Sequence, residues 1–156
     1  MSITENKPYE TLEVGQKAIV SRIVEERDIL LFAEVSGDRN PVHLDEAYAA
    51  KTAFKGRIAH GMLTGALISA AIACELPGPG SIYLGQSLTF SKPVKLGDTL
   101  RIEIEVLEKL PKNRVRLATR IFNQHDESVV EGEAEVLAPR KPLSIELSTL
   151  PPVTIG

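Results

Sequence analysis

The chain has 156 residues, 43% hydrophobic and 25% charged, enough to bury a single core and make one soluble domain. Its 18 Lys and Arg against 21 Asp and Glu leave a formal charge of -3, and it carries 3 Tyr, 4 Phe and no Trp, so it lacks both the basic field and the aromatic platforms expected of a nucleic-acid binder. A single cysteine, Cys74, excludes an intramolecular disulfide framework and a cysteine-based zinc cluster; it reads as a small core residue.

The opening residues Met1-Ser2-Ile3-Thr4-Glu5-Asn6 have neither the basic nor the apolar region of a secretory signal. The longest apolar run, from Met62 to Cys74, falls short of the ~20 residues that a membrane-spanning helix needs. A cytoplasmic chain with no membrane association is therefore the expectation. A short strand is predicted over 17–24. Over 25–35 the apolar positions Ile29, Phe32 and Ala33 form an i, i+3, i+4 stripe, which predicts a helix ending at Ser36-Gly37. Asp45 is placed to cap a short helix through Tyr48 and Ala50. The run Gly61–Cys74 is uncharged and apolar on every side, so it predicts a helix surrounded by protein.

The second half alternates with period two. Residues 101–106, 114–121 and 130–136 each pair an apolar face with a charged one, and Glu131, Glu133 and Glu135 share the outer face. Pro111-Lys112-Asn113 and Asn123-Gln124-His125-Asp126 supply the hairpin turns, His125 being solvated. Residues 82–90 are a fourth strand candidate, and Gly78-Pro79-Gly80 before it is a turn. One buried helix against one face of an antiparallel sheet is an α+β domain, assigned to residues 1–138. Pro139, Pro142, Pro151 and Pro152 make residues 139–156 an extended tail outside the regular fold.

The chemistry concentrates in Ser36-Gly37-Asp38-Arg39-Asn40-Pro41-Val42-His43. On a tight loop broken by Gly37 and Pro41, Asp38 and His43 can face one cavity and hold a water between them, one group accepting a proton while the other donates. A loop in which Asp38 and Asn40 only bond their own backbone accounts for the same residues. His60-Gly61 opens the apolar helix, whose first N–H groups are unpaired and carry partial positive charge, a place for a carbonyl oxygen gaining negative charge. Gly61 in a merely tight turn is the alternative.

Gly37-Asp38-Arg39-Asn40-Pro41-Val42-His43, followed by Ala59-His60-Gly61-Met62-Leu63, resembles the signature of the MaoC-like (R)-specific enoyl-CoA hydratases, a branch of the hot-dog fold. The resemblance implies an antiparallel sheet wrapped around a central helix, and syn addition of water to trans-2-enoyl-CoA to give (R)-3-hydroxyacyl-CoA. It further implies a homodimer able to feed β-oxidation intermediates into polyhydroxyalkanoate synthesis. Asp38 and His43 would be the catalytic pair and Gly61 N–H the oxyanion donor, with Asn40 and Ser69 in support. No cofactor or metal is expected, the CoA thioester being the substrate.

Thr64, Leu67, Ile72 and Leu137 are candidates for the acyl pocket. His60 is expected to be structural, bonding the first turn of its helix, and Lys51, Lys55 and Arg57 to form a solvated face. The rivals are a hot-dog thioesterase, a hydroxyacyl-carrier dehydratase and a non-catalytic acyl-binding module. The first two usually place a carboxylate on the central helix, and Gly61–Cys74 holds no Asp or Glu.

Overall fold

The computed structural model describes residues 2–156. Apart from a 3-10 turn at Tyr9–Thr11, twelve α-helices and β-strands follow in chain order: β1 (Ser2–Glu5), β2 (Lys17–Ile23), α1 (Glu26–Ser36), α2 (Pro41–Leu44), α3 (Glu46–Ala49), α4 (Gly61–Cys74), β3 (Ile82–Gln86), β4 (Thr89–Phe90), β5 (Thr99–Lys109), β6 (Arg114–Phe122), β7 (Ser128–Leu137) and β8 (Ser144–Leu147). β2, β5, β6, β7 and β3 lie side by side in that order, every pairing antiparallel, and β4 also pairs with β7. The expected α+β architecture is present.

The period-two pattern works as the alternation demands. Ile102, Ile104 and Val106 of β5, Val115 and Leu117 of β6 and Val136 of β7 point inward and are fully buried. Arg116 of β6 faces outward, bonding Glu108 of β5 at 2.9 Å and Glu133 of β7 at 3.0 Å, and Arg120 bonds Glu105 at 3.0 Å.

α4 packs on the apolar face through Leu63, Thr64, Ile68, Ala71 and Ile72, a helical stripe. Complete burial of Ile68 and Ile72 is worth about 1.5–3 kcal/mol each. The expectation that protein surrounds this helix holds for that side only: Met62, Ala66, Ala70 and Ala73 are exposed on the single chain.

The strand expected over 82–90 is interrupted at Ser87 and Leu88. There the chain crosses closely over Gly132 of β7, where an added Cβ would stand 1.8 Å from the Ser87 carbonyl oxygen. Ser87 N–H donates to the Glu133 carbonyl at 2.9 Å, and its Oγ accepts from Glu133 N–H at 3.0 Å.

The tail requires a correction. Residues 139–156 are extended, yet β8 pairs antiparallel with β1 in a second, two-stranded sheet. Asn6 supplies what the prolines withhold: its buried side chain donates to the carbonyls of Pro79 and Lys141 and accepts from Leu143 N–H. Pro139 O accepts from Tyr9 N–H at 2.9 Å, and Pro152, Val153 and Ile155 line a shallow cavity together with Arg27 and Leu31 of α1.

Candidate active site

α1 begins with a capping box, Glu25 with Asp28, and ends where Gly37 turns left-handed at φ 77°, its N–H closing on the Ala33 carbonyl at 2.9 Å. The chain then bends back through a short loop rather than remaining irregular to His43. Asp38 Oδ1 accepts from Asn40 N–H at 3.1 Å, and Asn40 Oδ1 accepts from Val42 N–H at 3.2 Å, capping the single turn of α2 with Pro41 in its first position. The backbone-bonding role foreseen for Asp38 and Asn40 is therefore real, and it leaves the second carboxylate oxygen free. Asp38 Oδ2 stands 3.8 Å from His43 Nε2.

That distance is too long for a direct hydrogen bond and short enough for one water oxygen to reach both groups. His43 Nδ1 lies 2.8 Å from the Ile58 carbonyl, which only accepts, so Nδ1 carries a proton and Nε2 is the nitrogen turned toward Asp38. His43 is buried, while the Asp38 side chain is 48% exposed on the single chain.

The segment of residues 57–60 holds this loop from the other side. Arg57 Nε donates to the His43 carbonyl at 2.7 Å, Ile58 N–H donates to Val42 O at 3.3 Å, and His60 Nε2 bonds the Asp38 carbonyl at 3.0 Å. On the opposite edge the same segment bonds residues 94–96, Ala59 N–H donating to Val94 O at 2.7 Å and Leu96 N–H to Arg57 O at 3.2 Å. Two expectations change here. Arg57 is buried, with Nη1 on Glu26 at 2.7 Å, and does not belong to a solvated face, whereas Lys51 and Lys55 are exposed. The His60 side chain does not bond its own helix turn, which only its carbonyl meets, at Leu63 N–H; its ring reaches back to Asp38, and no side chain caps α4. Neither contact has a local signature, since the partners lie 14 and 22 residues away.

Gly61 begins α4, and an added Cβ would meet the Phe90 ring at 3.3 Å. Phe90 and Gly61 line a cavity of about 260 Å³, together with Phe54, Ile58, His60, Thr64, Val94 and Val130. Asp38 and His43 do not line it; His60, whose ring stacks on His43 at 3.9 Å, connects it to them. Lys92 also lines the cavity and pairs with Glu127, and that bond, with one from Asn123, holds the Glu127 carboxyl below its ordinary range.

Of the four acyl-pocket candidates only Thr64 lines this cavity. Leu67 faces a separate one with Val20, Ala70, Cys74 and Ile102; Ile72 is buried in the core; Leu137 pairs with Ile82 at the end of β7. Ser69 sits half-buried on α4 and does not line the Gly61 cavity. Phe54 and Phe90, singled out by no sequence pattern, do.

Asp38, His43 and His60 offer three donor atoms within 4.8 Å of one another, a metal-like grouping. One nitrogen of each imidazole is already engaged by a backbone carbonyl.

The MaoC-like domain model matches residues 6–127. The chain belongs to the MaoC-like family. It is 48% identical over 131 residues to the (R)-specific enoyl-CoA hydratase of Aeromonas caviae, covering 83% of this chain and 98% of that protein. It is similar in structure to R-hydratase PhaJ1 from Pseudomonas aeruginosa in the unliganded form, with TM-score 0.97 and 68% identity over 99% of this chain and 100% of that one. It is also similar to the (R)-hydratase from A. caviae involved in PHA biosynthesis, with TM-score 0.81 and 47% identity over 83% of this chain and 99% of that one. The fold of this MaoC-like chain is the hot dog, with α4 packed on the apolar face of its antiparallel sheet.

Proposed function

We propose that the chain is an (R)-specific enoyl-CoA hydratase, a hydro-lyase that adds water reversibly across trans-2-enoyl-CoA to give (R)-3-hydroxyacyl-CoA. The observation that carries this reading is the Asp38–His43 pair, 3.8 Å apart, beside the uncapped start of α4. Its likeness to hydratases at 48% and 68% identity supports the substrate class.

Water bound between Asp38 Oδ2 and His43 Nε2 attacks C3 of the enoyl thioester. The step runs from a carboxylate–imidazolium pair, because Nδ1 already holds a proton on the Ile58 carbonyl: Asp38 Oδ2 takes the proton this water releases, and His43, protonated on Nε2 as well, delivers that second proton to C2. Transfer within the pair then restores the starting state. Because both groups work from one side, OH and H add to the same face. The thioester oxygen gains enolate charge as C3 is attacked, and Gly61 N–H at the positive end of α4 stabilises it, an effect worth about 3–4 kcal/mol in comparable sites. No metal or cofactor enters these steps.

Asn40 acts by shaping the loop, and Thr64 borders the acyl path with Phe54 and Phe90. The exposed apolar side of α4, with Ile82 and Leu84 exposed on the edge strand β3, supports a homodimer formed by a second copy. The (R) product suits a supply route from β-oxidation to polyhydroxyalkanoate synthesis in the cytoplasm.

The test is loss of enoyl absorbance from crotonyl-CoA, with the product coupled to an (R)-specific and an (S)-specific 3-hydroxyacyl dehydrogenase. Response from the (R) enzyme alone is expected. Response from the (S) enzyme alone contradicts the reading, and CoA release from a saturated acyl-CoA without hydration would make the chain a thioesterase.

A further inference from the structure

We infer that His60 is a positioning residue for hydration, holding Asp38 and His43 at their working separation from the start of the helix that carries the oxyanion donor. The inference rests on the reading of Asp38 and His43 as the catalytic pair.

His60 touches both members by different means. Its Nε2 bonds the Asp38 main-chain carbonyl at 3.0 Å, so it anchors the backbone from which the carboxylate projects. A carbonyl oxygen only accepts, which places a proton on Nε2. Its ring lies on His43 with centroids 3.9 Å apart and planes 28° from parallel, and its remaining surroundings include Phe32 of α1, centroids 4.9 Å apart.

His60 is 2% exposed, and its Nδ1 is buried with no hydrogen-bond partner among the described residues. A buried polar atom left unpaired costs free energy that apolar packing alone does not require. A phenyl ring would fill this space without that penalty, yet it could not donate to Asp38. The residue type is thus explained by the single bond that Nε2 makes.

The covalent connection adds a third element. His60 immediately precedes Gly61, so the residue that fixes the pair also fixes where the first N–H of α4 sits relative to it. Arg57 and Ile58 hold the His43 end of loop 38–43, so what His60 adds is the hold on its Asp38 end, whose carboxylate bonds only its own loop and stands beyond hydrogen-bond range of His43.

The experiment is steady-state hydration of crotonyl-CoA by the full chain and two variants. His60→Gln keeps an amide N–H near the position of Nε2; His60→Phe keeps a flat ring in the stack but has no donor. His60→Phe should lower kcat by about 10²-fold, the effect of misplacing reacting groups by about 1 Å, with KM changed by less than about threefold. His60→Gln should recover kcat to within about tenfold of wild type.

Wild-type kcat in His60→Phe, a loss carried by KM, or His60→Gln no better than His60→Phe would each overturn the inference. If His60→Phe does not fold, nitrogen NMR of the wild-type imidazoles decides: a proton on His60 Nε2 is expected, and one on Nδ1 overturns it. Asp38→Asn and His43→Gln are assayed alongside. Full activity in both removes the catalytic pair itself, whereas their loss with an unaffected His60→Phe removes only the role of His60.

Discussion

His43 Nε2 and Asp38 Oδ2 face one another at 3.8 Å while the other side-chain hydrogen bond of each residue goes to backbone. His43 Nδ1 is held by the Ile58 carbonyl and Asp38 Oδ1 by Asn40 N–H, so each residue commits one polar atom to structure and presents the other to its partner. This division lets one loop be a turn motif and still turn two polar atoms toward one another.

Replacing either presented atom should therefore stop chemistry and spare the fold. Asp38→Asn and His43→Gln are each expected to lower kcat by about 10²–10⁴-fold, with thermal unfolding close to wild type. Initial rates with crotonyl-CoA and a melting curve check both halves. Wild-type rates in the two variants would reduce the pair to a turn.

Arg57 should behave differently, because it is buried and bonds the His43 carbonyl as well as Glu26. Arg57→Ala is expected to lower stability by about 1–3 kcal/mol and also to reduce kcat, since α2 loses its anchor. Glu26 is largely exposed, so Glu26→Gln should cost less than about 1 kcal/mol. Urea unfolding of the two variants separates these outcomes; equal effects would show that only the ion pair matters.

Gly132 is placed where no side chain fits, with the Ser87 carbonyl oxygen 1.8 Å from a built Cβ. Gly132→Ala must move main chain rather than a flexible side chain, and a destabilisation above about 3 kcal/mol is expected. The same change at Gly61 meets only the edge of the Phe90 ring at 3.3 Å and should leave the fold intact. Circular-dichroism melts of both variants provide the comparison.

These positions also show where the sequence was readable. Gly61–Cys74 appears with its expected bounds, because an uncharged apolar run ending near Pro77-Gly78 has one compact solution. β5, β6 and β7 follow from charge alternating with Ile, Val and Leu, a signal carried by neighbours in sequence. The contacts of His60 and Arg57 were not legible, because each joins residues far apart in sequence and depends on residues 57–60 lying between the loop and residues 94–96. The pairing of β1 with β8 was missed for a related reason: Ser2-Ile3-Thr4-Glu5 and Ser144-Ile145-Glu146-Leu147 are short alternating stretches, and the surrounding prolines outweighed them. Sequence position along α4 likewise failed to separate Thr64, which borders the cavity, from Ile72, which is core.

The tail is a structural strap in this arrangement. Removing residues 143–156 deletes β8 and one of the three partners of the buried Asn6 side chain, so the melting temperature should fall. Hydration should persist with kcat within about threefold, because the pair and the Gly61 cavity are built from residues before the tail. Retained stability would show that β1 and β8 contribute nothing to the fold.

The central claim is that one pair of side chains handles both the attacking water and the proton bound for C2. Hydration of crotonyl-CoA in deuterium oxide, with NMR assignment of the deuterium at C2 of the (R)-3-hydroxybutyryl product, tests this directly. A single diastereomer with deuterium and hydroxyl added to the same face is predicted; addition to opposite faces, or a mixture formed during turnover, would contradict it.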